Sequence, residues 1–185
     1  MPYVVRRASS SDLDRAARVL AAAFDAYPWT RWALPAEGYR ERLEEVQRLY
    51  LGHAAEHGAV LVDDGVRAVA AFLPPDAPDL AEAVGRRVAE LHGQRWASLV
   101  ALELPALPPQ AWVLATVGVD PAHRGAGLGT AVVRAGLKVA DEAGAPVGLE
   151  TSDERNVRLY ERLGFATVAV TQVPDGPAVH TMVRG

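Results

Sequence analysis

The stretch VGVDPAHRGAGLGT, residues 117–130, decides the fold. It begins inside a near-continuous apolar run over residues 110–120, which predicts a strand buried on both faces, and Pro121 ends that strand. The glycines that follow remove β-carbons at the start of a helix predicted over residues 127–143. A buried strand that leads through a glycine-rich turn into a helix is typical of an anion-binding site.

This turn has the chemistry to bind a pyrophosphate. Gly125, Gly127 and Gly129 let backbone N–H groups close on phosphate oxygens, and the helix start contributes the positive end of its dipole. Arg124 adds a formal charge. The dinucleotide-binding fingerprint spaces its last glycines one residue further apart, and the Walker loop needs a Lys-Ser/Thr pair, so both motifs are excluded. A glycine-rich helix start without a ligand is the alternative interpretation.

Outward from the turn, the chain alternates between strands and helices. From residue 110 the predicted order is β-α-β-α-β-β, over residues 110–120, 127–143, 147–151, 156–163, 165–173 and 178–183. Before it, the pattern predicts a strand, two helices and a hairpin, over residues 3–7, 13–24, 38–57, 59–62 and 66–73. The predicted fold class is α/β (α+β), with a central twisted mixed β-sheet and helices on both faces. We expect a single domain over residues 1–185, with a helical insert at about 76–109 whose apolar spacing runs from Leu80 to Leu104.

Composition limits the function classes. Half of the 185 residues are hydrophobic, 23% are charged and the formal charge is −4, which argues against nucleic acid as a partner. The absence of cysteine excludes disulfides, thiolate metal sites and a cysteine acyl-enzyme. The five histidines form no convincing metal-ligand pattern, so no metal is expected. No apolar run approaches the roughly 20 residues that cross a bilayer, so we expect a cytoplasmic chain without a membrane partner.

A second motif lies downstream of the glycine turn. It reads LETS at residues 149–152, then Asn156, then LYERLGF at residues 159–165. Together with Arg124-x-x-Gly127-x-Gly129, it resembles the GNAT acetyltransferase superfamily over residues 113–170. Within that superfamily, the segments that resemble puromycin N-acetyltransferases run along nearly the whole chain: AF at 23–24, YP at 27–28, AWVLATVGV at 111–119 and the stretch 149–165.

The resemblance implies acetyl-CoA (coenzyme A) as the cosubstrate. Val117 and Val119 would offer backbone groups to the pantetheine arm, and Asn156 would contact the cofactor from the following helix. Tyr160 would face the thioester sulfur. The pyrophosphate would lie on the residues of the turn, which are Arg124, Gly125, Ala126, Gly127, Leu128, Gly129 and Thr130.

Tyr160 and Glu150 are the candidate catalytic residues. A thiol leaves with a pKa of about 8.5 and a phenol has a pKa of about 10, so Tyr160 can donate a proton or hydrogen bond as the C–S bond breaks. The N–H of Val119 could stabilise the oxyanion that develops. An amine attacks only when neutral, so Glu150 or a water relay would remove its proton. The alternatives are a packed helix tyrosine and a solvated or structurally bonded glutamate.

Tyr27, Trp29 and Trp32 are candidates for the wall of an acceptor pocket, with core packing as the alternative. The expected function is acetyl transfer to a primary or secondary amine of a small molecule, by direct attack in a ternary complex because no cysteine can act as nucleophile. An aminonucleoside such as puromycin is a candidate acceptor, which would make antibiotic resistance the role. The alternatives are a protein or peptide N-acetyltransferase and a non-catalytic acyl-CoA-binding sensor. A monomer and a homodimer both fit the sequence.

Overall fold

The computed structural model describes residues 3–185. In that part of the chain the strands are β1 Val5–Arg7, β2 Ala59–Asp63, β3 Ala68–Leu73, β4 Trp112–Val119, β5 Val147–Thr151, β6 Ala166–Gln172 and β7 Ala178–Arg184. The helices are α1 Leu13–Phe24, α2 Pro28–Ala33, α3 Tyr39–His57, α4 Glu82–His92, α5 Arg95–Val100, α6 Leu128–Glu142 and α7 Glu154–Glu161. The predicted β-α-β-α-β-β order from β4 onward is therefore confirmed.

Local chemistry sets several of these boundaries. A capping box precedes α1, in which the Asp12 carboxylate accepts from the N–H of Ser9 at 2.7 Å. In the β2–β3 hairpin, the buried carboxylate of Asp63 accepts from the N–H groups of Arg67 and Ala68 at 2.6 and 2.8 Å. At the turn, these hydrogen bonds take the place of backbone pairing between β2 and β3. Strand β3 therefore begins two residues later than predicted.

The strands form one mixed sheet in the order β1-β2-β3-β4-β5-β7-β6. All neighbouring strands are antiparallel except β4 and β5, which run parallel. A parallel pair needs a crossover, and α6 supplies it. The predicted mixed sheet is confirmed.

Helices cover both faces of the sheet, as predicted. On one face, α1 and α3 bury side chains such as Leu20 and Leu51 against β2 and β3. On the other face, α6 packs Val132 and Leu137 against Phe72 of β3. The approach of α6 is so close that a β-carbon at Gly136 would overlap the Phe72 ring. The two cores hold β3 and β4 in a fixed position, which matters because β4 carries the site.

The prediction that β4 is buried on both faces is wrong. Ala115 of β4 is exposed, and only Leu114 and Gly118 of this strand are fully buried. The pairing with β3 shifts so that Ala71 faces Thr116 while Phe72 faces Leu114, which leaves Ala115 as an extra residue. Such a bulge bends β4 and increases its local twist relative to β3.

The insert and α7 also differ from their predicted bounds. The insert contains α4 and α5, broken at Gly93 with φ +56°, and the helix ends at Val100 although the apolar spacing continues to Leu104. Prolines at 105, 108 and 109 disfavour a helix there. Helix α7 begins at Glu154, earlier than predicted, because the Asp153 carboxylate caps it by accepting from the Arg155 N–H at 2.8 Å.

Candidate active site between two separating strands

The parallel strands β4 and β5 separate after a short pairing. They are in register only at Trp112 with Val147 and at Val113 with Gly148. Beyond that point a cavity of about 580 Å³ opens, lined from β4 by residues 113–117 and from β5 by residues 149–151. Ala115 is exposed because β5 has separated from this edge of β4, which therefore faces the cavity.

The backbone of β4 has unused hydrogen-bonding groups on the side of this opening. In an antiparallel pair, residues alternate between pointing their N–H and C=O groups at the partner strand and away from it. Asp120 donates its N–H to Arg67 O at 2.7 Å, and the register then pairs Val119 with Ala68 and Val117 with Ala70. The backbone groups of Val117 and Val119 therefore point away from β3, toward the side that β5 has left. Val117 also lines the cavity, whereas Val119 does not.

The glycine turn follows at the end of this strand edge. Gly125 and Gly127 have φ values of +80° and +81°, which side chains disfavour. Helix α6 begins after Gly127, no side chain caps it, and its first backbone bond within the described chain runs from Ala131 N–H to Gly127 O at 3.0 Å. The N–H groups of Leu128, Gly129 and Thr130 consequently have no intrahelical acceptor and can bind an anion.

Side chains around the turn fix its position. Arg124 donates from Nη2 to the carbonyl of Ala23 at 3.0 Å, and the Tyr3 hydroxyl donates to Ala126 O at 2.6 Å. Leu128 is buried in the core, and a β-carbon at Gly129 would lie 3.1 Å from Val119 Cγ2. The structure thus places all seven predicted turn residues in one segment, held against α1, the N-terminus and β4.

Tyr160 lies on α7, where it lines the cavity and is 5% exposed. Its ring packs edge-on against Phe165, with 5.7 Å between the centroids. No hydrogen bond joins its hydroxyl to another group of residues 3–185. Burial raises the pKa of Tyr160, and the neighbouring phenol of Tyr27 adds to the shift, so the hydroxyl keeps its proton at neutral pH.

A hydrogen-bond network joins the N-terminal half of the chain to the end of β5. The Tyr27 hydroxyl accepts from the Ser152 N–H at 2.7 Å and lies 3.0 Å from Thr151 Oγ1. The Asn156 amide donates to the same Thr151 oxygen at 3.3 Å. Tyr27 and Asn156, predicted separately for the acceptor and the cofactor, are therefore linked through Thr151 and both line the cavity.

Glu150 lies on β5 at the cavity, where part of the residue stays exposed and the surrounding protein covers the rest. It makes no ion pair or hydrogen bond with the rest of the described residues. Surrounding protein reduces its hydration, and this burial raises the pKa of its carboxyl group. Among residues 3–185 it is the only carboxylate that lines the cavity, and no lysine or arginine of this part of the chain lines it. An unpaired carboxylate in such a place has the chemistry of a proton acceptor.

The two tryptophans predicted for the acceptor pocket have different places. Trp29 lines the cavity, but Trp32 does not. Trp32 is 7% exposed and packs with Val173 and Val179 on the inner side of α2. The prediction that Trp32 binds the acceptor is thus not supported by its position, because its ring is used for core packing.

The sequence analysis missed several cavity residues. Trp96 and Leu107 come from the insert, and a β-carbon at Gly148 would overlap Leu107, so the insert packs directly on β5. Gln47 lies on the apolar face of α3, between Leu43 and Tyr50, and also lines the cavity. A polar residue in an otherwise apolar helical stripe was the available signal for Gln47.

Two further findings concern metal sites and membrane-spanning helices. Over residues 3–185, no group of three or more histidine, aspartate or glutamate side chains is arranged to hold a metal ion. None of the described helices has both the length and the apolar character to cross a membrane.

Comparisons with known proteins agree with this geometry. The sequence model of the Acetyltransferase (GNAT) family matches residues 23–165. The fold is similar to that of the histone acetyltransferase HPA2 and related acetyltransferase from Corynebacterium glutamicum, with a TM-score of 0.79 and 24% identity over 100% of this chain and 96% of the other. The structural likeness concerns the fold alone.

Curated relatives include two mycothiol acetyltransferases. The one from Thermomonospora curvata is 31% identical over 136 residues, which cover 72% of this chain and 42% of the relative. The one from Nocardiopsis dassonvillei is 49% identical over 53 residues, which cover 27% of this chain and 16% of the relative. The matches thus span less than half the length of these relatives. They do not support the predicted resemblance to puromycin N-acetyltransferases, which stays a prediction.

Proposed function

Because the chain belongs to the GNAT acetyltransferase family, we propose that it transfers the acetyl group of acetyl-CoA to a primary or secondary amine of a small molecule. The observation that carries the proposal is the separation of β4 from β5. It exposes a free backbone edge that leads from the glycine turn into a cavity lined by Tyr160 and Glu150. A cofactor site and an acceptor site therefore adjoin along one strand.

The residues present fit acetyl-CoA. Its pyrophosphate would lie on the amides of residues 125–130, where two glycines have positive φ and the first turn of α6 lacks internal acceptors. Arg124 would add a positive charge with the guanidinium nitrogens that Ala23 does not use. The outward backbone groups of Val117 and Val119 match the amides of a pantetheine arm, and Asn156 would contact the cofactor from α7.

When bound, acetyl-CoA supplies an acetyl group that is activated as a thioester. Amide formation removes one proton from the acceptor nitrogen and leaves a thiol, so the protein must accept one proton and provide another. Glu150 is the proposed base, directly or through a water molecule, because its carboxylate is unpaired and faces the cavity. The Tyr160 hydroxyl is the proposed donor, because it carries a proton at neutral pH, lines the cavity and makes no hydrogen bond with the other described residues. Attack is direct, because the chain has no cysteine to carry an acyl group.

The cavity favours a small-molecule acceptor over a polypeptide. The cavity is lined by helices α2 and α3, the insert and strands β4 and β5. The acceptor would therefore enter a cavity between these elements and would not lie along a flat peptide groove. Trp29 and Tyr27 offer aromatic surface for a ring, and an aminonucleoside such as puromycin is one acceptor with that character. The mycothiol acetyltransferases, which share 31% and 49% identity over the matched segments, are named for a small molecule, and this also favours a small-molecule acceptor.

Release of thiol from acetyl-CoA tests the proposal directly. The panel contains puromycin, an amino sugar, aryl amines, a polyamine and a basic peptide, and the signal is read with a thiol-reactive dye. We expect turnover with at least one small-molecule amine, with a ternary-complex pattern in two-substrate kinetics. Turnover of the peptide alone would favour a peptide N-acetyltransferase. Tight binding of acetyl-CoA with no turnover of any amine would favour an acyl-CoA sensor.

A further inference from the structure

Gln47 is a largely buried polar residue whose amide has no partner in the described chain and keeps some accessible surface at the cavity. It is 8% exposed, it lies on the cavity-facing side of α3, and its neighbours on that side are Leu43, Val46 and Tyr50. Its amide makes no hydrogen bond with any of residues 3–185. The group faces the cavity rather than a packed core.

Two other buried polar residues that line the cavity have partners, whereas the Tyr160 hydroxyl has none among residues 3–185. The Thr30 hydroxyl donates to Phe24 O at 2.8 Å, and the His92 imidazole bonds Ala33 O at 3.0 Å. Buried polar groups in folded proteins almost always find a partner, and one that has none points to a missing ligand or water. Gln47 therefore differs from Thr30 and His92, because its donors and acceptor are free to bind a ligand in the cavity.

The charges around the cavity limit what that partner can be. Among residues 3–185, Glu150 is the only carboxylate in the lining, His53 and His92 are the histidines, and no lysine or arginine lines the cavity. Burial lowers the pKa of His92, which keeps that imidazole neutral. A second amine on the acceptor would find no carboxylate, and a carboxylate on it would find no fixed cation. The Gln47 amide, with two donors and an acceptor oxygen, suits a neutral polar group.

We infer that Gln47 selects the acceptor, by hydrogen bonding to a neutral hydroxyl, amide or ring N–H group on an otherwise apolar or aromatic monoamine. The amine of that acceptor lies toward Glu150 and its ring lies among the aromatic side chains. This inference rests on the proposed function, because it assumes that the cavity receives the acceptor. The same charge pattern disfavours polyamines, and it offers an acidic amine no lysine or arginine to pair with.

Matched amine pairs test the inference. Phenylethylamine is compared with tyramine, which adds a hydroxyl, and 2-(1-naphthyl)ethylamine with tryptamine, which offers a ring N–H. For at least one pair we expect the wild-type kcat/KM to favour the polar member by about tenfold, the value of one buried hydrogen bond. Gln47→Leu and Gln47→Met should remove that preference by weakening the polar member and leaving the apolar member unchanged.

Controls separate selection from folding. Gln172→Leu makes the same change on the exposed edge strand β6 and should keep the wild-type preference. The melting temperature of Gln47→Leu should equal or exceed that of the wild type, because an unpaired buried amide is replaced by an apolar group. The conservative Gln47→Met keeps the length of the side chain if leucine disturbs the helix packing.

Calorimetric binding of the same amines to the CoA-loaded protein distinguishes the inference from the proposed function. Absence of acetyl transfer together with Gln47-dependent binding of the polar amines would reject the proposed function and support Gln47 as the binding residue. Transfer or binding with the same preference in wild type and both variants would overturn the inference alone. Absence of both transfer and binding for all four amines would also overturn it.

Discussion

The glycine turn and the acceptor cavity differ in how they are built. The turn is one continuous segment, residues 124–130, whose conformation depends on backbone angles at Gly125 and Gly127. The cavity takes side chains from α1 through β7, separated by more than 100 residues along the chain. In the proposed function, the turn therefore binds the cofactor with its backbone, while the cavity selects the acceptor with its side chains. Substitutions should affect cofactor affinity in the first region and acceptor recognition or chemistry in the second.

The largest expected effect on turnover is at Tyr160, which lines the same cavity as the free edge of β4. Tyr160→Phe removes the proposed proton donor but keeps the ring that packs on Phe165. We expect kcat to fall about 100-fold, within the range for a general acid, with no change in acetyl-CoA affinity. Steady-state kinetics and calorimetry measure the two quantities. Tyr39→Phe is the matched control, since Tyr39 itself does not line the cavity and the loss of its hydrogen bond to Thr30 should lower stability without lowering kcat. Equal turnover in wild type and Tyr160→Phe would remove this residue from the chemistry.

Glu150 should give the next largest effect, visible as a pH profile. Burial raises the pKa of its carboxyl group, so protonation should inactivate the base at a higher pH than for an ordinary glutamate. With an aryl amine that stays neutral over the range, kcat/KM should fall as the pH drops through that pKa. Glu150→Gln should lose this acidic limb and be at least about tenfold slower at neutral pH. Glu142→Gln, on the exposed end of α6, should keep the wild-type profile. An acidic limb that persists in Glu150→Gln would assign it to another group.

Two glycines at opposite ends of α6 test the turn. Gly127 and Gly144 have φ values of +81° and +62°, and an added β-carbon would meet no atom within 4 Å at either position. Alanine at each should cost about 1 kcal/mol of folding free energy because of the left-handed backbone. Only Gly127→Ala should weaken acetyl-CoA binding, by about tenfold, because only this turn faces the cofactor. Calorimetry gives the affinities and thermal denaturation gives the stabilities. The same loss of affinity in both variants would mean that strain alone explains it.

The smallest kinetic effect is expected at the tryptophan pair. Trp29→Leu should raise the KM for an aryl amine several-fold, with a small change in stability, because Trp29 lines the cavity. Trp32→Leu should leave KM unchanged and cost about 2–4 kcal/mol of unfolding free energy, because Trp32 is buried against Val173 and Val179. Kinetics and chemical denaturation separate the two. A KM that rises in Trp32→Leu and not in Trp29→Leu would reverse their assigned places.

The sequence predicted the parts of this protein that depend on local patterns. Strand and helix periodicity gave the order of elements and the mixed sheet, and the glycine turn was located because its conformation is set by consecutive residues. The cap at Asp153 shifted α7 by two residues, which is the usual scale of error at helix ends.

The rest depends on tertiary structure that no local pattern reports. The apolar sequence of β4 predicted burial on both faces. The bulge at Ala115 and the separation of β4 from β5 instead leave part of this strand exposed. Trp29 and Trp32 have similar sequence surroundings, yet only the packing of α2 decides which one faces the cavity. The helical pattern of α3 shows Gln47 as a polar residue in an apolar stripe, but only the tertiary structure places it at the cavity.

Amide hydrogen exchange with and without acetyl-CoA tests the central claim, that the free edge of β4 and the glycine turn hold the cofactor. We expect saturating acetyl-CoA to slow exchange at the amides of Val117, Val119 and residues 125–130, while the exposed edge strand β6 keeps its rates. Protection elsewhere, with none at these amides when the cofactor is bound, would contradict the account.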